Sequence, residues 1–451
     1  MEAVFERVRA GGAAEALYWR GERLSYDDFG QRVDEWAERL AVDGVAAGDV
    51  VAFTGDYSPG TAALMFALMQ SGAILVPLTS EVEAELDALL DMAGVAFLYA
   101  FDLTSDEATL SRRADAQAPD LIETFRARGR PGLVVFTSGS TGAPKGILQD
   151  VEQVMAKFVQ PRKGWRTVLF LLMDHFGGFN TFLSAFAYGG TAVCPGGRDP
   201  ESVARAIQEA RADLLPTTPT FLNFLITSHI YQSFDLSSVE LITYGTELMS
   251  EATLQKVLEI FPAARLKQTY GLSELGVLRS DSESGDSVWV KVGGKGFETK
   301  VVDGILWIRS EANMVGYLNA PNPFDNDGWM NTGDEVEVRG EYMRFMGRKT
   351  EVINSGGKKI YPIEVETALM AMPNVDNATV EARPHPIMGQ VVAAKISVTE
   401  PEDPKAMTER LRTLCNERLA RYKVPVRFSQ ISADDHHNVR FKKVRHNEKT
   451  R

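Results

Sequence analysis

The chain has 451 residues, 44% hydrophobic and 24% charged, with 48 Lys and Arg against 61 Asp and Glu, a net charge of −13. This composition excludes a disordered or fibrous chain, and the acidic balance disfavours a nucleic-acid or membrane binder while leaving room for a local basic pocket that holds phosphate. Two cysteines, Cys194 and Cys415, cannot form a disulfide framework, the opening residues lack a signal-peptide core, and no run of about 18 apolar residues exists, so a cytoplasmic protein without a membrane span is expected.

Ser25-Tyr-Asp-Asp28 reads as a capping box, with Phe29, Val33, Trp36 and Leu40 following at helical spacing as far as Gly44. A buried strand over 50–53, a helix over 61–70 and a strand over 73–77 form a parallel βαβ unit. The rhythm recurs with a strand over 133–137, a helix from 151 and a strand over 167–173. Shorter strands follow at 191–194, 214–215 and 241–244, with helices between them. The fold class is α/β, with a large N-terminal domain of parallel sheets. From about 286 the pattern changes to alternating segments at 289–292, 298–302, 305–309, 335–339 and 342–346, which predict antiparallel hairpins and a small β-barrel-like subdomain. After Gly347-Arg348 a mixed α+β segment carries helices over 363–372 and 405–419. The expected domains are therefore 1–347 and a small mobile one, 348–451.

The strongest chemical signal is Phe136-Thr-Ser-Gly-Ser-Thr-Gly-Ala-Pro-Lys-Gly146, which follows a hydrophobic strand. Thr137, Ser138, Ser140 and Thr141 offer hydroxyls, Gly139 and Gly142 free the backbone amides, and Lys145 adds a positive charge, all suited to phosphate. The spacing is not that of a Walker loop, because Pro144 stands five residues after Gly139.

This segment resembles the phosphate loop of the adenylate-forming superfamily, which includes acyl- and aryl-CoA synthetases, peptide-synthetase adenylation domains and luciferases. Further matches follow in the family's order. Thr269-Tyr-Gly-Leu-Ser-Glu274 resembles Tyr-Gly-x-Thr-Glu, with Ser273 in the threonine place. Met314-Val-Gly-Tyr-Leu318, Trp329-Met-Asn-Thr-Gly-Asp334, Gly347-Arg-Lys-Thr350 and Tyr361-Pro-Ile-Glu-Val-Glu366 continue the likeness. The resemblance implies ATP-dependent activation of a carboxylic acid to an acyl-adenylate with loss of pyrophosphate, then transfer to a thiol.

By the same resemblance Glu274 would hold Mg²⁺, Asp334 and Arg348 would bind the ribose, and Tyr270 would flank the adenine. Gly245-Thr246-Glu247 would line the other adenine side, with Thr269 and Gly271 in the same nucleotide site. The family's tail lysine falls on Lys442, with Lys443 as its rival and Phe441 where the pattern has glycine. His175 would sit near the substrate carboxylate. Phe176 takes the place of the amino-group anchor of amino-acid-activating relatives, although a small shift of register would put Asp174 there. Phe221, Tyr244, Val277 and Leu278 are expected apolar walls of the acid pocket. Ser355-Gly-Gly-Lys-Lys359 resembles the loop beside a pantetheine tunnel, which makes coenzyme A the first-choice acceptor. A carrier-protein pantetheine or an amine is the alternative, and a nucleotide-binding sensor without ligase activity is the reading of another class.

Overall fold

Local capping starts the first long helix where the sequence puts it. In the computed structural model, which describes residues 1–138 and 144–436, the Asp28 amide donates to Ser25 Oγ and the Ser25 amide donates to the Asp28 carboxylate, both at 3.1 Å. Helix Tyr26–Val42 follows and buries Phe29, Val33, Trp36 and Leu40. Helix Pro59–Ser71 is capped by Ser58 and closed by Gly72 in the left-handed region, φ +74°. It is buried almost all round because it lies between two sheets.

Those sheets are mainly parallel. One has its parallel strands in the order Gly132–Ser138, Ile74–Leu78, Val50–Thr54, Phe97–Phe101, extended by antiparallel Pro144–Asp150, Gly316–Tyr317 and Ala108–Arg112. The other runs Arg265–Gln268, Leu241–Tyr244, Leu214–Thr217, Arg166–Val168, Thr191–Cys194, Glu15–Trp19, with antiparallel Glu22–Ser25 at its edge. Helices Tyr26–Val42, Pro59–Ser71 and Phe176–Ala187 share one aromatic core, in which Phe66 meets Phe29, Phe182 and Phe186 edge-on.

The strand expected over 167–173 ends at Val168. The Leu169 amide still donates to Val193 O at 2.8 Å, but the Phe170 carbonyl accepts from Arg198 Nε at 2.7 Å. The Arg198 guanidinium also forks onto Asp56, with Nη2 to Oδ1 at 2.7 Å. The chain therefore leaves the sheet with Leu169, Phe170, Leu172 and Met173 buried but not laddered, and its backbone demand is met by a side chain.

The hairpins after residue 270 form one seven-stranded antiparallel sheet. Its order is Tyr270–Leu272, Gly276–Ser282, Val290–Gly293, Tyr342–Arg348, Met330–Arg339, Ile305–Ser310, Phe297–Val302. A fourth, five-stranded sheet takes Ile353–Ser355, Lys358–Ile360, Asn377–His385, Gly389–Ser397 and Arg427–Gln430. Helices Pro362–Met370 and Pro404–Arg418 cover it around a separate core that includes Ile353, Val365, Leu369, Val380, Ile396 and Leu411. Gly356 and Gly357, both at positive φ, make the two-residue turn of its first hairpin. No helix among the described residues is long and apolar enough to cross a membrane, and Cys194 and Cys415 are both free and buried.

Candidate active site

A cavity of about 1230 Å³ lies beyond the carboxyl ends of strands Leu214–Thr217, Leu241–Tyr244 and Arg265–Gln268, the place where open parallel sheets hold ligands. Thr137, His175, Phe176, Gly245, Thr246, Glu247, Thr269, Tyr270, Gly271, Ser273, Glu274, Val277, Leu278, Asp334 and Arg348 all line it. Residues remote in sequence are thus brought to one wall system.

Gly245 is there for closeness. A Cβ at that position would sit 2.5 Å from Thr269 Oγ1 and 2.8 Å from Thr269 O, so any larger residue would push the two strand ends apart. The Thr269 amide and hydroxyl both donate to Tyr244 O, at 2.7 and 3.1 Å, which locks that junction. Thr246 holds a left-handed φ of +67°, and the Glu247 carboxylate accepts from the Thr220 hydroxyl at 2.6 Å and its amide at 3.2 Å. That carboxylate sits in the first turn of helix Pro219–Thr227, where the helix dipole favours negative charge.

Tyr270 is fixed on two sides. Its ring stacks on Phe345 with centroids 4.6 Å apart and planes 14° from parallel. Its hydroxyl donates to Asp334 Oδ2 at 2.6 Å, and Arg348 Nε lies 3.4 Å from Asp334 Oδ1. The strand pairing makes this possible, since Asp334 stands opposite Arg348 in the antiparallel ladder. Burial lifts the Asp334 carboxyl above the ordinary carboxylate range, with Tyr270 and Arg348 opposing it. Burial and then the Asp334 charge push the Tyr270 phenol well up, so it stays a donor.

Glu274 is organised through a residue outside the expected set. Tyr317 donates to Glu274 Oε1 at 2.7 Å, and Lys145 Nζ lies 5.0 Å over the Tyr317 ring. Strand Gly316–Tyr317 pairs with Pro144–Asp150, and this brings Tyr317 beside Lys145. Burial, then Glu274, keeps the Tyr317 phenol protonated. Lys145 itself pairs with Thr137 across the two strands and is not part of the cavity lining. Ser138 closes strand Gly132–Ser138, while Gly139, Ser140, Thr141 and Gly142 lie outside the described residues, as do Lys442 and Lys443.

His175 caps helix Phe176–Ala187, and its carbonyl accepts from the Phe179 amide at 3.0 Å. Asp174 is turned the other way, with the Thr79 hydroxyl donating to it at 3.1 Å. Phe176, not Asp174, faces the cavity. Two expected walls are corrected: Phe221 and Tyr244 are fully buried in the core on the outer face of their sheet and take no part in the lining. Phe221 packs on Phe170, centroids 4.4 Å apart. Tyr244 ends strand Leu241–Tyr244 and Phe221 lies in the first turn of helix Pro219–Thr227, and both side chains pack into the outer core. From the C-terminal unit, helix Pro362–Met370 contributes Ile363, Glu366 and Met370, whereas the Gly356-Gly357 turn is not in the lining. Phe345 and Tyr317 were missed; the only available signals were the alternation of the strand over 342–346 and the Val-Gly-Tyr stretch before Leu318.

One carboxylate, Glu274, fits Mg²⁺, a hard cation that keeps waters and takes phosphate oxygens instead of an all-protein cage. No group of three or more His, Cys, Asp or Glu that could hold a metal exists among the described residues.

Comparison with known proteins gives a consistent picture. Residues 4–318 match the family described as AMP-binding enzyme, and residues 364–437 match the AMP-binding enzyme C-terminal domain. An indoleacetate–CoA ligase of Aromatoleum aromaticum is 29% identical, covering 89% of this chain and 88% of its own. A feruloyl-CoA synthase of an Amycolatopsis species is 28% identical, covering 93% and 92%. Among solved structures, an anthranilate CoA ligase in complex with anthranoyl-AMP superposes with a TM-score of 0.81 at 18% identity, over 98% of this chain and 95% of its own; that likeness is one of fold.

Proposed function

The chain belongs to the AMP-binding enzyme family, and on that premise we propose that it activates an aryl or alkyl carboxylic acid with ATP and passes the acyl group to coenzyme A. In the first half-reaction a carboxylate oxygen attacks the α-phosphorus of ATP, the bond to the β-phosphate breaks, and acyl-adenylate and pyrophosphate form. In the second the thiolate attacks the acyl carbon and AMP leaves.

The observation that carries this reading is the convergence of Tyr270, Asp334, Arg348 and Glu274 with His175 and Phe176 on one cavity. Asp334, on which Tyr270 and Arg348 oppose the effect of burial, accepts the ribose hydroxyls. The Tyr270 ring, backed by Phe345, takes one face of the adenine, and Gly245-Thr246-Glu247 takes the other. Two anions must meet for the first step, so oriented donors and cations are essential. Thr137, Ser138, Ser140 and Thr141, with the amides freed by Gly139 and Gly142, serve the phosphates. Lys145 stands over Tyr317, which orients Glu274. Mg²⁺ held by Glu274 would neutralise phosphate charge during the transfer. Thr269, Gly271 and Ser273 shape the strand turn on which Tyr270 and Glu274 sit. Val277 and Leu278 are walls for the acid, and His175 lies at its carboxylate end. The unit over 348–451 swings about the Gly347-Arg348 junction, presents Lys442 for the first step and withdraws it for the second. A cytosolic location, where ATP and coenzyme A are both available, belongs to the same proposal.

Relatives named as indoleacetate and feruloyl ligases favour an arylated acid. The decisive experiment is acid-dependent exchange of labelled pyrophosphate into ATP across a panel of acids. Exchange with one or more acids is expected, followed by thioester formation when coenzyme A is added. Silence with every acid would overturn the proposal in favour of a nucleotide-binding sensor.

A further inference from the structure

The cavity continues past the acid's carboxylate end. It follows helix Phe176–Ala187, which turns Gly177, Thr181 and Ser184 toward it and is closed by Tyr188, also in the lining, and the facing sheet, which supplies Thr167 and Thr243. At 1.5 Å per residue, His175 and Tyr188 lie roughly 20 Å apart along that helix. The passage is rich in hydroxyls, and Asn180 Oδ1 is buried along it without a hydrogen-bond partner among the described residues. Val154, Phe158, Trp165, Leu214 and Leu241 share the lining, so the wall offers apolar contact together with hydroxyls, and the unpartnered Asn180 oxygen favours a polar group beside it.

The far end is cationic in a chain of net charge −13. Lys157, Arg162 and Arg279 all belong to the lining there. The Arg162 guanidinium sits 5.8 Å over the Tyr188 ring, and burial raises the Tyr188 phenol while Arg162, then Arg7, then Arg279 oppose the rise. Burial, then the charge of Arg162, pulls the Lys157 ammonium down to about 8. Neighbouring lysines have counter-charges, Lys163 with Glu240 at 2.6 Å and Lys267 with Asp281 at 3.6 Å. Lys157, Arg162 and Arg279 have no carboxylate at ion-pair distance among the described residues. The segment carrying Lys157 is fixed, because the Arg7 guanidinium donates to Phe158 O at 2.9 Å, Val159 O at 2.7 Å and Ala187 O. Lys157 is half-buried on the braced segment, while Arg162 and Arg279 are exposed and share the same lining; three cations there without counter-charges favour an anion.

We propose that the acid carries a second anionic group, a carboxylate or equivalent oxyanion, at the end remote from the carboxylate being activated, and that Lys157, Arg162 and Arg279 bind it. This rests on the acid-activating reading above. The test compares extended dicarboxylic acids of graded length with their half-amides in the pyrophosphate-exchange assay, where coenzyme A is absent. A diacid of matching length should show kcat/KM at least about tenfold above its half-amide, the effect of a charge-assisted contact. In the double variant Arg162→Gln, Arg279→Gln that ratio should collapse toward one. Because both acids are measured on the same protein, partial misfolding cannot imitate a changed ratio. Equal rates for diacid and half-amide overturn this inference alone, whereas silence with all acids overturns the acid-activating reading and this inference with it. An unchanged ratio in the variant, with a raised KM for coenzyme A in the thioester assay, would assign the cations to the acceptor's phosphates and also overturn it.

Discussion

Replacing Tyr270 by Phe removes one hydroxyl and leaves the ring that stacks on Phe345. That hydroxyl reaches Asp334 Oδ2 at 2.6 Å, the length of a charge-assisted O–H···O⁻ bond. Burial raises the Asp334 carboxyl, and the Tyr270 hydrogen bond is the first of the influences that oppose the rise. A hydrogen bond to a charged group contributes about 1.5–3 kcal/mol. At about 1.36 kcal/mol per factor of ten, its loss raises the proton affinity of Asp334 by roughly 10- to 100-fold. In the proposed role the ionised carboxylate is the form that would accept ribose hydroxyls, and it is lost as pH falls through the folded pKa. In Tyr270→Phe that loss therefore begins at higher pH. Pyrophosphate-exchange profiles of kcat/KM for ATP should show the acidic limb displaced upward and the alkaline limb unmoved. An acidic limb identical to that of the parent protein would refute the argument that Tyr270 keeps Asp334 charged. A uniform loss at every pH would show that the hydroxyl acts on ring position instead.

Glu274→Gln should cripple exchange most severely at limiting Mg²⁺, and a variant with the parent's Mg²⁺ dependence would remove Glu274 from the metal site. Gly245→Ala should destabilise the protein by about 1–3 kcal/mol through overpacking against Thr269, read by thermal unfolding, with a raised KM for ATP; an unchanged melting profile would contradict the clash. Since Phe176 faces the cavity and Asp174 does not, α-amino analogues of good substrates should exchange poorly, and preference for a free amino acid would reverse that assignment. Lys442→Ala should lower adenylation by about 10²–10³ while thioester formation from pre-made acyl-adenylate survives. Lys443→Ala should do little, and the opposite result would exchange their roles.

Much of this was legible in the sequence because its causes are local. The Ser25–Asp28 cap and the spacing of Phe29, Val33, Trp36 and Leu40 specify a helix wherever the chain goes, and the structure puts it at Tyr26–Val42. The alternation after residue 286 specifies hairpins for the same reason, since adjacent strands meet through short turns. Ordered motifs from Thr137 to Arg348 name many of the residues that the fold gathers on one cavity, because glycines at tight approaches and charged groups at strand ends leave a local mark in the chain. Tertiary structure decided what periodicity cannot encode. Phe221 and Tyr244 look the same in sequence as Val277 and Leu278, yet the first pair is sealed in the outer core and the second faces the cavity, a matter of which face of its sheet Tyr244 takes and of how the helix carrying Phe221 packs on that sheet. The apolar run over 167–173 reads as one strand, but Arg198, brought in from beyond the next strand and anchored on Asp56, takes the Phe170 carbonyl and ends the ladder. The Tyr317 contact to Glu274 and the Phe345 stack on Tyr270 join residues whose meeting depends on strand order and register. Those are set by the packing of the whole chain, so no local pattern announces them.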